Sequence, residues 1–148
     1  MYKAIGLSAV CMAFALVLMT ESYAQSRTAP ADESVDQRWA RMEREMDEGR
    51  YVEIQARKCD LSTSMKSVAF DTPTVLRFKN VSAREVICYW INYEGKRDRE
   101  WTVKAGEAQN VRTYLTHPFV VVDETGACLA IYWPEAKPGL VVIKVAHK

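Results

Sequence analysis

The sequence has little glycine and proline and almost no net charge, and these shortages exclude several classes of protein. It holds 6 Gly and 5 Pro among 148 residues, and 49% of the residues are hydrophobic, which excludes collagen-like and disordered chains. The formal net charge is +1, so no strong field favours a nucleic acid as partner. The chain is long enough for one domain plus a processed or flexible segment.

Histidine is also scarce, which argues against common metal and catalytic sites. The sequence contains His117 and His147 but no Cys-x-x-Cys pair and no Cys/His spacing, so we expect no metal and no cofactor. It has no glycine-rich phosphate loop and no internal repeat. A nucleophile elbow is missing too, which leaves a hydrolase built from Cys88, His117 and Asp123 as a weak alternative. We therefore expect no catalytic residues.

The first residues have the pattern of a secretory signal. Lys3 precedes an apolar run from Ile5 to Met19, and Ser22-Tyr23-Ala24 places small residues where a signal peptidase cleaves. We predict a signal peptide over 1–24 and a mature protein that is exported, either periplasmic or secreted. An uncleaved membrane anchor is the alternative, because the run approaches the length of a spanning helix.

Export changes the meaning of the cysteines, because disulfides persist in oxidising compartments. Once Cys11 is removed with the signal peptide, Cys59, Cys88 and Cys128 remain. One disulfide and one leftover thiol is the simplest arrangement, and three pairings are open.

Residues 25–58 are predicted to form a flexible N-terminus and one amphipathic helix over Asp32 to Glu48. Ser34 suits an N-cap and Gly49 a stop. Between charged residues, apolar side chains recur at three- and four-residue steps: Val35, Trp39, Met42 and Met46. We expect this stripe to pack on the domain that follows or on a partner. The stretch 51–58 is expected to continue as helix or as an irregular linker.

After Cys59 the period of the hydrophobic pattern changes from 3.6 to 2, which is typical of strands. Seven short segments rich in β-branched and aromatic residues alternate with turn signals: 74–79, 86–93, 101–103, 110–114, 119–122, 128–132 and 140–145. They predict an all-β fold, a small antiparallel sandwich over 59–148. In the second segment, parity puts Cys88 and Trp90 on one face and Tyr89 on the other. The charged run 96–100 is predicted to be a solvated loop.

The stretch from Trp90 to Phe119 concentrates aromatic and polar side chains in one β-rich segment. Its aromatic rings, hydroxyl and imidazole suit a small pocket that holds a polar ligand without reacting with it. This favours a binding module over an enzyme. The candidate site residues are Trp90, Trp101, Thr113, Tyr114, His117 and Phe119.

The segments VLRFKNVS, VICYWINYEGK, RTYLTHPFVVVD and GACLAIYWP resemble the β-domain of the von Hippel-Lindau tumour suppressor, and most closely its stand-alone exported bacterial relatives. The resemblance covers about Thr74 to Ile143, in the order of that family. It implies a sandwich of seven or eight strands that binds an extended peptide containing hydroxyproline.

In that family a Trp, a Tyr, a Ser, a second Tyr, a His and another Trp form the hydroxyproline pocket. By resemblance, Trp90 takes the place of the first Trp and Tyr114 that of the second Tyr. Thr113 stands at the Ser position and keeps the hydroxyl. His117 matches the His that helps to hold the hydroxyl of the ligand.

Two positions depart from the family pattern. Phe119 replaces the final Trp, which keeps the wall of the pocket but loses an N–H donor. Trp101 lies near the first Tyr, after a spacer that is one residue longer, and has no phenolic O–H. The resemblance also favours a disulfide between Cys59 and Cys128, which would tie the N-terminal segment to the sandwich.

The resemblance implies an extended peptide or protein as partner. The tumour suppressor continues into a helical domain that docks a ubiquitin-ligase adaptor, whereas this chain stops at Lys148, so we expect no such adaptor. The alternative is a structural or envelope-associated interaction domain with a vestigial pocket. In that case the helix bearing Trp39 would pair with a copy of itself.

Overall fold

The computed structural model describes residues 32–59 and 65–145, so the predicted signal peptide lies outside the described residues. The described part holds one helix and eight strands. They are α1 (Val35–Asp47), β1 (Val52–Glu53), β2 (Pro73–Asn80), β3 (Val86–Ile91), β4 (Arg97–Val103), β5 (Ala108–Tyr114), β6 (Phe119–Val122), β7 (Cys128–Tyr132) and β8 (Gly139–Ile143). This confirms the predicted β-sandwich preceded by a short helix.

The strands form two four-stranded sheets. The first sheet has the order β1-β8-β2-β5, and the second has the order β4-β3-β6-β7. Most neighbouring strands are antiparallel, as predicted, but β8 runs parallel to both β1 and β2. β8 follows β7 of the second sheet, so the chain crosses to the first sheet before β8 pairs, and such a connection, unlike a hairpin, permits parallel pairing.

The core lies between the two sheets, where alternate residues of each strand are buried. Leu76 and Phe78 of β2 contact it from the first sheet, and Cys88 and Val121 from the second. Trp90 packs against the same core, while Tyr89 packs in a separate cluster with outer-face residues of the second sheet. The parity predicted for β3 is therefore confirmed.

Helix α1 covers the outer face of the first sheet. It begins with a capping box in which Ser34 and Gln37 bond each other's backbone N–H groups, and it ends before Gly49, whose φ of 76° suits glycine. Met42 and Met46 are buried around Val75 of β2. The predicted apolar stripe thus packs on the domain that follows it.

Two regions differ from the sequence-based prediction. The stretch 51–58, expected to be helix or linker, contains β1, which pairs with β8. The run 96–100, expected to be a loop, belongs to β4 from Arg97 onward. β1 is short, and most of β4 is exposed. Backbone pairing with a neighbouring strand holds each of them in place, and their side chains show little of the hydrophobic alternation that predicts a strand.

Among the described residues, no helix combines the length and the apolar character needed to cross a lipid bilayer.

Candidate functional site

The orientation of Trp90 is set by a buried serine that the sequence did not single out. The indole Nε1 donates to Ser67 Oγ at 2.7 Å, and that hydroxyl donates to the Ile91 carbonyl at 2.6 Å. Ser67 is 2% exposed, so water competes little for these bonds. Trp90 is thereby held as one wall of the site.

His117 lies in the turn after β5, and three aromatic rings surround it. Its ring centroid is 5.1 Å from that of Trp90, 5.2 Å from that of Tyr114 and 5.5 Å from that of Tyr93. Burial lowers the pKa of His117, and the charge of Arg99 lowers it further, while a hydrogen bond to the Ala69 backbone opposes the shift. The ring is therefore neutral at neutral pH.

The Tyr93 hydroxyl is a hydrogen-bond partner of the His117 ring, and Thr116 binds the Ala69 backbone beside it. The Ala69 N–H donates to Thr116 Oγ1, and the Ala69 carbonyl accepts from the same hydroxyl, both at 2.8 Å. The Tyr93 hydroxyl lies 3.0 Å from His117 Nε2. The two atoms form one hydrogen bond, and the tautomer of the ring decides which of them donates.

Strand β5 supplies Thr113 and Tyr114 to the site. Thr113 is 3% exposed, and its carbonyl accepts a hydrogen bond from Trp39 Nε1 of α1 at 3.2 Å. Tyr114 makes edge contacts with Trp39, at a centroid distance of 5.5 Å, and with Phe70, at 6.2 Å. Because of these contacts, helix α1 supports the strand from outside.

Trp101 and Phe119 form the inner end of the site, where it meets the core. Their rings are 5.7 Å apart, and each contacts Phe78. Trp101 Nε1 is buried and has no hydrogen-bond partner among the described residues. An indole N–H therefore remains next to Phe119, although its buried position keeps it from the surface.

One cavity joins all of the candidate residues. It has a volume of about 480 Å³ and lies between the two sheets, beside β4 and β5, which are edge strands of their respective sheets. Its lining includes every candidate that the sequence pointed to: Trp90, Trp101, Thr113, Tyr114, His117 and Phe119. A concave, aromatic-walled space with a few polar groups is the usual form of a binding site.

The cavity is also lined by residues that the sequence analysis did not name as candidates, and two of these, Tyr93 and Arg99, lie close to Trp90. Tyr93 was predicted to continue β3 with its side chain opposite to Trp90. The strand instead ends at Ile91, because Asn92 Oδ1 accepts the backbone N–H groups of Glu94 and Lys96. This turn brings Tyr93 to within 5.6 Å of Trp90, ring to ring. The available signal was Asn92, three residues before Gly95, because Asn and Gly are typical of turns.

The disulfide expected from the family resemblance is present. Cys59 and Cys128 are bonded, which ties the segment after β1 to β7. Cys88 is a buried free thiol, and burial raises its pKa to about 12. Within residues 32–59 and 65–145, no three His, Cys, Asp or Glu side chains come close enough together to hold a metal ion.

Comparison with known proteins shows which family the cavity-bearing part of the chain resembles. No curated protein matches the chain. Residues 65–131, however, match the family model of the VHL beta domain. The match includes every candidate site residue, whereas α1, β1 and β8 lie outside it. Residues 65–131 of this chain are therefore similar to the VHL beta domain.

Proposed function

We propose that this chain is an exported peptide-binding module that holds an extended segment along β5. The cavity would take a small hydroxylated residue of that segment, such as hydroxyproline. The observation that carries the proposal is the neutral ring of His117. Its Nε2 lies within hydrogen-bond distance of a hydroxyl inside an aromatic-walled cavity.

The edge of the first sheet supports binding of an extended chain. β5 pairs with β2 on one side, and no strand among the described residues pairs with its other side. An edge of this kind can accept an added strand, whose main-chain hydrogen bonds supply affinity while a neighbouring pocket supplies specificity. The cavity adjoins this edge along residues 109–114.

The chemistry of His117 supports selection for a hydroxyl group. In the free protein the Tyr93 hydroxyl is hydrogen-bonded to Nε2, and a ligand hydroxyl would replace it there. A proline in the same place offers no donor, so filling the cavity would leave the buried Nε2 without a partner. A polar group left unpaired in this way costs about 1–3 kcal/mol, which would favour the hydroxylated form.

Export fits the same proposal. The sequence of the first 24 residues predicts a signal peptide, and the Cys59–Cys128 disulfide is of the kind that persists in oxidising compartments. The ligand would then be an extracellular or periplasmic protein segment.

Two other functions have less support. A hydrolase would need Cys88 as a thiolate, but its burial and raised pKa keep it protonated and out of reach. An interaction domain that works through α1 would need an exposed apolar stripe. Met42 and Met46 are instead buried against the first sheet, so self-association through them would require α1 to leave the sheet.

Nuclear magnetic resonance can test where a ligand binds. An extended peptide with a central 4-hydroxyproline is added to the mature protein, and a peptide with proline at that position serves as control. We expect the hydroxylated peptide to shift the Trp90 indole and the backbone amides of β5, and the proline peptide to shift them only weakly. Shifts confined to α1, or no shifts with either peptide, would contradict the proposal.

A further inference from the structure

A bulge in β4 directs Arg99 toward the cavity. The pairing of β4 with β3 changes from Cys88↔Trp101 to Trp90↔Asp98, so β4 contains one extra residue between these pairs. Arg99 lies in this interval with a φ of 46°, the one positive φ of a non-glycine residue in the described part of the chain. Bulges next to binding sites redirect side chains, and a strained φ persists only where the surroundings hold it.

The guanidinium of Arg99 lies over the ring of Trp90, with Cζ 5.5 Å from the ring centroid. Arginine stacked on an aromatic face keeps the N–H groups at its edge free to bind a planar anion. Stacking therefore orients the charge at the mouth of the cavity without using its hydrogen-bond donors.

The acidic neighbours of Arg99 bond to other groups. Asp98 Oδ1 accepts from the Arg99 backbone N–H at 2.7 Å, and Asp98 Oδ2 lies 3.5 Å from the Asn92 amide nitrogen. Glu100 Oε2 accepts from the Tyr89 hydroxyl at 2.6 Å. Among the described residues, Arg99 thus forms no ion pair.

The other arginine of the cavity differs in this respect. Arg112 lines the β5 side, but Glu43 of α1 binds it through two hydrogen bonds of 2.9 Å each. His117 adds no charge because it is neutral, and the positive charge of Arg99 helps to keep it so. Two charged groups of the lining therefore lack an ion pair among the described residues: Arg99, which lies over Trp90, and Glu100, whose Oε2 is bound by the Tyr89 hydroxyl.

We propose that Arg99 is a specificity-determining residue that binds a carboxylate of the ligand. The peptide that the module prefers would then carry an aspartate or a glutamate close to the residue in the cavity. This inference rests on the proposed peptide-binding function. A bidentate pair between a guanidinium and a carboxylate supplies both charge and fixed geometry, which suits recognition of one flanking position.

A set of peptides with a central 4-hydroxyproline tests the inference, with Asp, Asn or Lys placed in turn at each of the neighbouring positions. At one position we expect Asp to bind about tenfold more tightly than Asn, the effect of one charge-assisted contact. Arg99→Gln should abolish this ratio, and Arg99→Glu should shift the preference to Lys. Equal binding of the Asp and Asn peptides, or a ratio that survives Arg99→Gln, would overturn the inference.

Arg97→Gln is the matched control, because Arg97 carries the same charge on the same strand but lies over Tyr89, on the other face of the second sheet. It should leave the ratio unchanged. Each peptide is made with a free and with an amidated C-terminus. A preference seen only with free termini would overturn the assignment to an acidic side chain and identify the chain terminus as the carboxylate bound.

Acetate separates this inference from the proposed function, because it needs no peptide. At constant ionic strength, acetate should shift the Arg99 Nε–H resonance saturably, whereas uncharged acetamide should not. Hydroxyproline peptides that bind without an acetate effect would overturn the role of Arg99 and leave the peptide-binding function intact. An acetate effect without peptide binding would leave the carboxylate site standing and refute the peptide-binding function. If acetate has no effect and no peptide binds, both the role of Arg99 and the peptide-binding function are refuted.

Discussion

Trp39 of α1 donates its indole N–H to the carbonyl of Thr113 in β5, at 3.2 Å, and to the carbonyl of Thr74, at 3.1 Å. The bond to Thr113 joins the helix, which lies outside the family match, to the strand that borders the cavity. The same indole makes an edge contact with Tyr114. The helix therefore supports the position of the β5 wall, although it does not line the cavity.

Replacing Trp39 tests this support. Trp39→Phe keeps a ring beside Tyr114 but removes the donor to the two carbonyls. We expect the free energy of unfolding to fall by about 1 kcal/mol, the usual net value of such a bond, plus a contribution from the smaller ring. Peptide affinity should fall as well, because β5 is held less firmly. Chemical denaturation and calorimetry measure the two effects, and unchanged affinity would show that the helix does not influence the cavity.

Two tryptophans of the cavity form a matched pair for substitution by phenylalanine. Trp90→Phe removes an indole that donates to Ser67 Oγ, whereas Trp101→Phe removes one without a partner among the described residues. The loss of ring volume is the same in both. We expect Trp90→Phe to lower the free energy of unfolding by about 1 kcal/mol more than Trp101→Phe. Equal losses in urea denaturation would mean that the bond to Ser67 contributes nothing.

The disulfide between Cys59 and Cys128 closes a loop with a sequence separation of 69. On the chain-entropy model, opening a loop of this size lowers the free energy of unfolding by about 4 kcal/mol. We expect this loss for the double variant Cys59→Ala/Cys128→Ala in urea denaturation. The wild type unfolded under reducing conditions should lose a similar amount. A double variant as stable as the oxidised wild type would contradict the prediction.

The pKa of His117 predicts how stability depends on pH. Because burial lowers this pKa below its usual 6.5, the unfolded chain binds a proton more readily than the folded one. The stabilising effect of the neutral ring is thus fully present above the unfolded pKa and is lost as the pH falls through the folded pKa. Denaturation between about pH 7.5 and 5 should show this slope in the wild type.

His117→Gln is the control for the pH dependence. It should flatten the slope in that range, because Glu33 and Glu43, whose pKa values are lowered by Arg41 and Arg112, titrate at lower pH. A slope that persists in His117→Gln would assign the effect to another group.

Tyr93 competes with the proposed ligand for His117. Its hydroxyl is hydrogen-bonded to Nε2, so Tyr93→Phe should free that atom and raise the affinity for a hydroxyproline peptide by about fivefold, the effect of roughly 1 kcal/mol. Affinity for the matching proline peptide should rise by a similar factor, because that peptide no longer displaces the Tyr93 hydroxyl, so the ratio between the two peptides should persist. If the hydroxylated peptide binds more weakly to Tyr93→Phe, then Tyr93 contacts the ligand directly instead of competing with it.

Side-chain alternation was enough to predict the sandwich and the two faces of β3. Cys88 and Trp90 do face the core, and Tyr89 does not, because a half-buried strand must alternate. β1 could not be predicted in this way, because its 2 residues are held by pairing with β8 and not by a pattern of their own.

The candidate site was predicted less completely than the fold. Residues on β5 and in its turn could be named from the family resemblance, and they do meet in one cavity. Ser67 and Tyr93 could not, because each reaches Trp90 from a segment without regular structure. Arg99 depends on a one-residue shift in strand pairing, which alternation does not reveal.

A calorimetric titration tests the central claim most directly. Two extended peptides that differ only in a central proline or 4-hydroxyproline are titrated into the mature wild type and into His117→Ala, whose fold is checked by circular dichroism. We predict that the wild type binds the hydroxylated peptide at least about tenfold more tightly and that His117→Ala loses this difference. Equal binding of the two peptides by the wild type, or a preference that survives in His117→Ala, would contradict the account.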